Sequence, residues 1–228
     1  VPEHEVAVPV VAHRHGSAHI EVKRFRKDTP GLDISDPRAV IMDGEIFLSS
    51  LSHLRLARSA DGFKFTIEKQ PALFPTEPYE EYGIEDPRMT CLEGRVYINY
   101  TAVSRFGIGV GLASTCDFVT YEKHGIILPP ENKNVVIFPE RVNGRYVMLH
   151  RPATTGLGSQ QIWLAYSDDM LHWGQHLPLM GKRPGMWDSI RLGAGAVPIK
   201  TPDGWLEIYH GVNPDQGYCL GAVLLDLH

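Results

Sequence analysis

Short apolar runs, interrupted at regular places by a polar residue and a glycine, extend along most of this chain. Ala39-Val40-Ile41-Met42 and Ile46-Phe47-Leu48 flank Asp43-Gly44. The segment from Arg88 to Cys91 and the run Val96-Tyr97-Ile98-Asn99-Tyr100 flank Glu93-Gly94. Val142 and Tyr146-Val147-Met148-Leu149 flank Asn143-Gly144, and Ala196-Val197-Pro198-Ile199 precedes Trp205-Leu206-Glu207-Ile208-Tyr209 across a turn near Asp203-Gly204. Each pattern predicts a β-hairpin, because such dipeptides tolerate the positive φ angles of a tight turn. The breaks fall at positions 43, 93, 143 and 203, intervals of 50, 50 and 60 residues, which reads as one unit used four times.

A second half-repeat follows each hairpin. Leu54-Arg55-Leu56-Ala57-Arg58-Ser59 matches Gly111-Leu112-Ala113-Ser114 and Ile162-Trp163-Leu164-Ala165-Tyr166-Ser167, and Cys219-Leu220-Gly221-Ala222-Val223 begins a fourth copy. Aromatic segments follow the first three and are expected to be strands: Phe63-Lys64-Phe65, Phe118-Val119-Thr120-Tyr121 and Leu171-His172-Trp173. Four short antiparallel strands per unit is the content of a β-propeller blade. The expected fold is therefore all-β, a single propeller domain over residues 1–228 with about four blades represented. The fourth unit reaches His228 where its last strand is expected, so a final blade is incomplete or absent from this chain. Residues 5–11 and 18–25 are strand-like but lie outside the repeat. They are expected to close the ring by completing a blade, the alternative being that the chain is a fragment of a longer propeller.

Composition narrows the function classes. The chain is 43% hydrophobic over 228 residues with a formal charge of −5, which suits one soluble domain and gives no basic face for nucleic acid. No apolar stretch nears the roughly 18 residues of a membrane-spanning helix. The first residues (Glu3, His4, Glu5, Arg14, His15) lack a signal-peptide pattern. Cys91, Cys116 and Cys219 are odd in number and lie in apolar runs, which predicts buried free thiols in a reducing, cytoplasmic compartment. His13, His15 and His19 alternate without a Cys or carboxylate at ligand spacing, so no metal site is expected. The glycines at 107–111 lack the Lys-Ser/Thr of a phosphate-binding loop.

In a propeller, the residues entering each innermost strand converge at one mouth of the central channel. Here they are Asp36-Pro37-Arg38, Glu85-Asp86-Pro87-Arg88, Phe138-Pro139-Glu140-Arg141 and Asp188-Ser189-Ile190-Arg191. The second strands end in Asn99-Tyr100, His150-Arg151 and Tyr209-His210. These polar residues either cap strands or build a site. As a site they suit glycosyl transfer: a carboxylic acid protonates the leaving oxygen while water or a polyanion attacks the anomeric carbon from the opposite face. Water needs a second carboxylate as base, whereas phosphate needs only cations and donors. Arg151, Arg191 and His210 recur at matched positions without obvious carboxylate partners, which favours phosphate.

The segments Gly83-Ile84-Glu85-Asp86-Pro87-Arg88, residues 134–139, Arg145-Tyr146-Val147-Met148-Leu149-His150-Arg151-Pro152 and Tyr209-His210-Gly211-Val212 resemble glycoside hydrolase family 130, from about residue 34 onward. The resemblance implies a five-bladed β-propeller and inverting phosphorolysis of β-mannosides to α-mannose 1-phosphate. It implies Asp86 as the general acid, acting through a sugar hydroxyl, with Arg151, Arg191 and His210 as phosphate ligands. Glu85, Arg88, Asn99, Tyr100 and Asp188 are the expected sugar contacts. Inorganic phosphate is then a co-substrate, with no cofactor; the partner is a mannosyl disaccharide or oligosaccharide, and a homo-oligomer is compatible with a missing blade. The chain departs from the family where Asp36 replaces an asparagine, where Ser49-Ser50 replace an arginine for which Arg55 is the substitute, and where Arg191 replaces the usual lysine. The loops at 77–83 and 153–160 are expected to shape the leaving-group side. Two alternatives remain open: a β-mannosidase using Glu140 or Glu207 as base, and a catalytically silent propeller that binds glycans.

Overall fold

A computed structural model of the chain describes residues 1–14, 17–153, 158–215 and 217–226. His15 of the histidine run and part of the 153–160 loop lie outside the described residues. The described residues form an all-β structure with one short 3-10 turn at Pro78–Glu80. The chain divides into two units: Val1–Glu85 with Ala102–Phe106, and Asp86–Thr101 with Gly107–His228.

In the first unit, β1 (Glu5–Arg14) and β2 (Ser17–Arg26) form a two-stranded antiparallel sheet, in register from Glu5↔Arg26 to Arg14↔Ser17. Strands β3 (Leu32–Asp33), β4 (Ala39–Met42) and β5 (Glu45–Leu48) form a second sheet, and β6 (Leu54–Arg58) pairs with β7 (Thr66–Leu73). Alternation along the strands turns Val8, Val40 and Phe47 inward together as the buried centre of this unit.

The second unit is built from three antiparallel sheets. The first runs β8 (Gly83–Leu92), β9 (Arg95–Ser104), β10 (Gly107–Thr115) and β11 (Glu122–Leu128) in spatial order, although the terminal residues of β8 and β9 belong to the first unit. The next runs β12 (Asn132–Ile137), β13 (Tyr146–Pro152), β14 (Ile162–Ser167) and β15 (Gly174–Met180). In the last, β16 (Arg191–Ala194) and β17 (Ile199–Thr201) pair along one side of β18 (Gly204–Val212), and β19 (Tyr218–Leu225) pairs along the other. The central sheet is buried on both faces. Val135, Ile137, Tyr146 and Met148 join Leu92, Val110 and Leu112 on one side, while Val136, Phe138, Val147 and Leu149 join Leu192, Trp205 and Tyr209 on the other. That double burial is why the sequence there is a continuous apolar run rather than an alternating one.

Three of the four predicted turns form as expected. Asp43-Gly44, Glu93-Gly94 and Asn143-Gly144 all have positive φ at both positions, between 50° and 86°. The fourth turn shifts by one residue, because Thr201 pairs with Gly204 and leaves Pro202-Asp203 at the tip. The strand expected over Ala196 to Ile199 is also broken: β16 ends at Ala194 and β17 begins at Ile199.

The three aromatic segments are turns, not strands, and the sheets resume just after them at Thr66, Glu122 and Gly174. The cause is a hydroxyl–carboxylate pair that recurs in all three segments. Asp61 Oδ1 accepts from the Phe63 and Lys64 amides at 2.9 and 2.8 Å, and Ser59 Oγ accepts from Gly62 at 2.8 Å. Thr115 with Asp117, and Ser167 with Asp169, repeat the pattern, each Asp accepting two amides at 2.8 Å. A side-chain acceptor that captures successive N–H groups withholds them from a ladder.

The cysteines are unpaired as expected, but Cys91, Cys116 and Cys219 are exposed rather than buried. Cys91 and Cys219 occupy outward-facing strand positions and Cys116 lies within a hydroxyl–carboxylate turn, so apolar surroundings in sequence did not translate into burial. No helix among the described residues is long and apolar enough to cross a membrane.

Candidate active site

The site lies in the second unit, where β8, β12, β13, β16 and β18 bring their charged residues together. Asp86 interrupts β8 with a left-handed backbone, φ 51°, and its side chain is about half exposed (48%). A non-glycine residue held there re-aims its side chain out of the sheet pattern. Lys133 and Asn134 sit on β12 where the register with β13 slips between Lys133↔Arg151 and Val136↔Leu149, and Asn134 also has positive φ, 55°. The slip turns Lys133 toward Asp86, with Nζ 3.9 Å from Oδ2.

Arg151, on β13, is buried, and its Nε has no hydrogen-bond partner among the described residues. Burial, then the adjacent Arg191 guanidinium, presses its pKa downward. Arg191, at the start of β16, donates from Nη2 to the Tyr218 hydroxyl at 2.7 Å and stands over the Tyr218 ring, 5.4 Å from its centroid. His210, on β18 opposite Gly193, accepts at Nε2 from Asn134 Nδ2 at 3.0 Å. Accepting at Nε2 leaves its single proton on Nδ1. Its pKa is pushed down to about 4, first by burial and then by Arg151, Arg88 and Arg191, with Asp86 opposing. Gly193 makes room for this contact, since a Cβ there would lie 2.3 Å from Asn134 Nδ2.

Of the four residues expected to form the reaction centre, Asp86, Arg151 and Arg191 thus lie within electrostatic reach of His210, and Asp86 and Arg191 within reach of Arg151. Lys133, Asn134 and Tyr218 join them without having been singled out from sequence. Asn134 opens the 134–139 segment, but strand periodicity hides a bulge, and the bulge is what aims the side chains.

The expected sugar contacts are placed differently. Asn99 is buried and donates to the Val135 carbonyl at 2.8 Å. Tyr100 is buried, its ring so close over Gly111 that a Cβ there would lie 2.4 Å from it. Asp188 is buried against Arg183 Nε at 2.9 Å and the Tyr209 hydroxyl at 3.1 Å. Glu85 belongs to the first unit. Arg88 donates from Nε to the Gly195 carbonyl at 2.5 Å and from Nη1 to the Asp86 and Pro87 carbonyls at 3.0 and 3.3 Å.

The two copies of Asp-Pro-Arg have opposite local chemistry. Asp36 forms a bidentate pair with its own Arg38, at 3.0 and 2.7 Å, and that arginine draws its pKa down to about 2. Asp86 leaves Arg88 to the main chain and faces Lys133 instead. Arg55 is tied to the Glu68 carbonyl at 2.8 Å. Of the two bases considered for hydrolysis, Glu140 pairs with Lys200 and Glu207 is fully buried. A base that activates water must reach that water.

The model of glycoside hydrolase family 130, described as beta-1,4-mannooligosaccharide phosphorylase, matches residues 40–228. The chain is 45% identical over 213 residues to Beta-1,2-mannobiose phosphorylase of Listeria innocua serovar 6a, covering 92% of this chain and 60% of that protein. It is 40% identical over 180 residues to 1,2-beta-oligomannan phosphorylase of a Thermoanaerobacter species, covering 78% and 59%. A solved structure of the Listeria innocua enzyme in complex with beta-1,2-mannobiose superposes with a TM-score of 0.87 at 43% identity, over 99% of this chain and 64% of that one. The chain therefore spans about three fifths of the length of the curated relatives it matches. With its cationic cluster gathered around one aspartate and a family model matching from residue 40 onward, this chain belongs to glycoside hydrolase family 130.

Proposed function

We propose that the cluster binds inorganic phosphate and that the protein containing this chain carries out inverting phosphorolysis of a β-mannoside. The observation that carries this reading is Arg151: a buried guanidinium beside Arg191, with an unsatisfied Nε and no carboxylate partner among the described residues. Gathering such charge is costly unless an anion neutralises it, and a planar fork matches phosphate oxygens two at a time. Arg191 and His210 Nδ1–H add donors to the same anion. A phosphate oxygen attacks the anomeric carbon, the bond to the glycosidic oxygen breaks, and its electron pair takes a proton relayed from Asp86 through a sugar hydroxyl. The products are α-mannose 1-phosphate and a shortened sugar, with no second carboxylate required.

The names of the 45% and 40% identical relatives support a β-1,2 linkage as the substrate. The three four-stranded antiparallel sheets that follow one another in sequence support blades of a five-bladed propeller, of which this chain supplies about four. The unpaired cysteines support a reducing, cytoplasmic setting.

The test is turnover of β-1,2-mannobiose with and without phosphate, followed by phosphorus NMR. Appearance of α-mannose 1-phosphate only with phosphate is the expected result. Equal rates in both, with free mannose as the sole product, would overturn it in favour of hydrolysis, and sugar binding without turnover in favour of a glycan-binding module.

A further inference from the structure

Glu207 is a buried carboxyl that the proposed reaction does not use. It lies on β18 three residues before His210, is wholly enclosed, and leaves Oε2 without a hydrogen-bond partner among the described residues. Burying such a group is costly, and an apolar side chain of the same shape would be at least as stable there. Its other oxygen shows what it does. Oε1 accepts at 3.0 Å from the Gly195 amide, which it shares with the Ile208 carbonyl at 3.1 Å, in the break between β16 and β17. The carbonyl of the same glycine accepts from Arg88 Nε, and Arg88 Nη1 donates to the Asp86 and Pro87 carbonyls. Gly195 has no room for a side chain, since a Cβ would lie 2.4 Å from the Ile208 carbonyl.

We propose that Glu207 is a positioning residue for Asp86: it holds the Gly195 main chain, Gly195 anchors Arg88, and Arg88 pins the strained Asp86-Pro87 backbone. This rests on the reading of Asp86 as the acid. An aspartate with left-handed backbone departs from the regular geometry of its strand, so where its side chain points depends on contacts like these. The charged group that acts on Glu207 is Arg88. Its cross-strand neighbour on β19 is Val223, while Arg191 of β16 and Lys200 of β17 are engaged with Tyr218 and Glu140. Burial raises the Glu207 pKa to about 7, so the link changes charge near neutrality.

Two readouts test this on the full chain with Glu207→Gln and Glu207→Leu. In nitrogen–proton NMR between pH 5.5 and 8.5, the Gly195 amide and Arg88 Nε–H of the native protein should shift with one common midpoint. Glu207→Gln, which keeps the acceptor but cannot titrate, should abolish both shifts. Resonances that do not move, or that still move together in Glu207→Gln, would overturn the proposal whatever the activity. In phosphorolysis of β-1,2-mannobiose, Glu207→Leu should lose about tenfold or more in kcat. Its KM for phosphate should stay within about twofold and its Tm should not fall. A native kcat in Glu207→Leu also overturns it. Linked NMR shifts in a chain that turns over no mannoside would instead sink the reading of Asp86 as the acid and leave the linkage standing.

Discussion

Arg191 stands close enough to the buried Arg151 to disfavour its charge, adding to the effect of burial, while Asp86 opposes them at longer range and no ion pair is formed by either arginine among the described residues. Like charges held together this way define a place for an anion. They are carried by sheets whose apolar clusters contain neither arginine, so the burial that stabilises the unit lies outside the charged cluster.

If an anion relieves that repulsion, phosphate should stabilise the fold. At a concentration a hundred times its Kd, the gain is about 2.7 kcal/mol, visible as a higher Tm. Arg151→Met should lose this response and show a Tm at least equal to the native protein without phosphate. Its KM for phosphate should rise by about 10- to 100-fold. A variant that still responds fully to phosphate in a thermal scan would exclude Arg151 from the anion site.

Asp86→Asn removes the transferable proton but keeps the shape. Turnover of β-1,2-mannobiose should fall by about 10² to 10⁴ in kcat, within the range of general acid catalysis. The phosphate-induced rise in Tm should persist, because the anion is held by other residues. Loss of the thermal response alongside turnover would show that Asp86 acts on binding or folding rather than as the acid.

Acid should destabilise the second unit through two histidines. His150 donates from Nδ1 to Asn132 Oδ1 at 3.2 Å and accepts at Nε2 from His176 at 3.0 Å, an arrangement only the neutral ring allows. Burial and then His176 push its pKa from 6.5 down to about 4, and His210 is lowered equally far. A depressed histidine pKa means the unfolded chain binds more protons between those limits. The stability is therefore complete above pH 6.5 and declines as pH falls toward 4, on the order of 3 kcal/mol for His150 alone. Tm measured at pH 7, 5.5 and 4.5 should fall less steeply in His150→Gln. Parallel profiles for the two proteins would remove His150 as a cause.

The hydroxyl–carboxylate turns should matter to stability but not to catalysis. Asp117 has its pKa lowered to about 2, chiefly by the Thr120 and Val119 amides. Its contribution is thus present above the ordinary carboxylate range and lost as pH falls through about 2. Asp117→Ala should lower Tm by a few degrees at pH 7 with kcat and KM unchanged. An unchanged Tm would mean the turn is held by its neighbours without the carboxylate.

The three turns also show how an extended reading of sequence can fail locally. Phe63, Phe118 and Leu171 have strand-like composition, yet Asp61, Asp117 and Asp169 hold the following amides in turns. Composition registers the side chains of a segment and not the acceptor two or three residues away that takes its N–H groups. Burial is likewise invisible to such a reading: Asn99 and Tyr100 lie in the middle of β9 and Asp188 precedes β16, all three are buried, and Asn99 donates to the Val135 carbonyl while Asp188 accepts from Tyr209.

The hairpin strands around three of the turns, those turn positions and the candidacy of Asp86, Arg151, Arg191 and His210 were legible in the chain itself. Turn residues and strand alternation act over a few neighbours, so they are written locally. What only the tertiary structure decided is which Asp-Pro-Arg copy is closed and which is open. Asp36 and Asp86 are both followed by Pro-Arg, and the difference comes with Lys133, which faces Asp86, and Gly195, which takes Arg88, 47 and 109 positions beyond Asp86. Those partners meet it through a register slip in β12 and a break after β16, and long-range packing sets both.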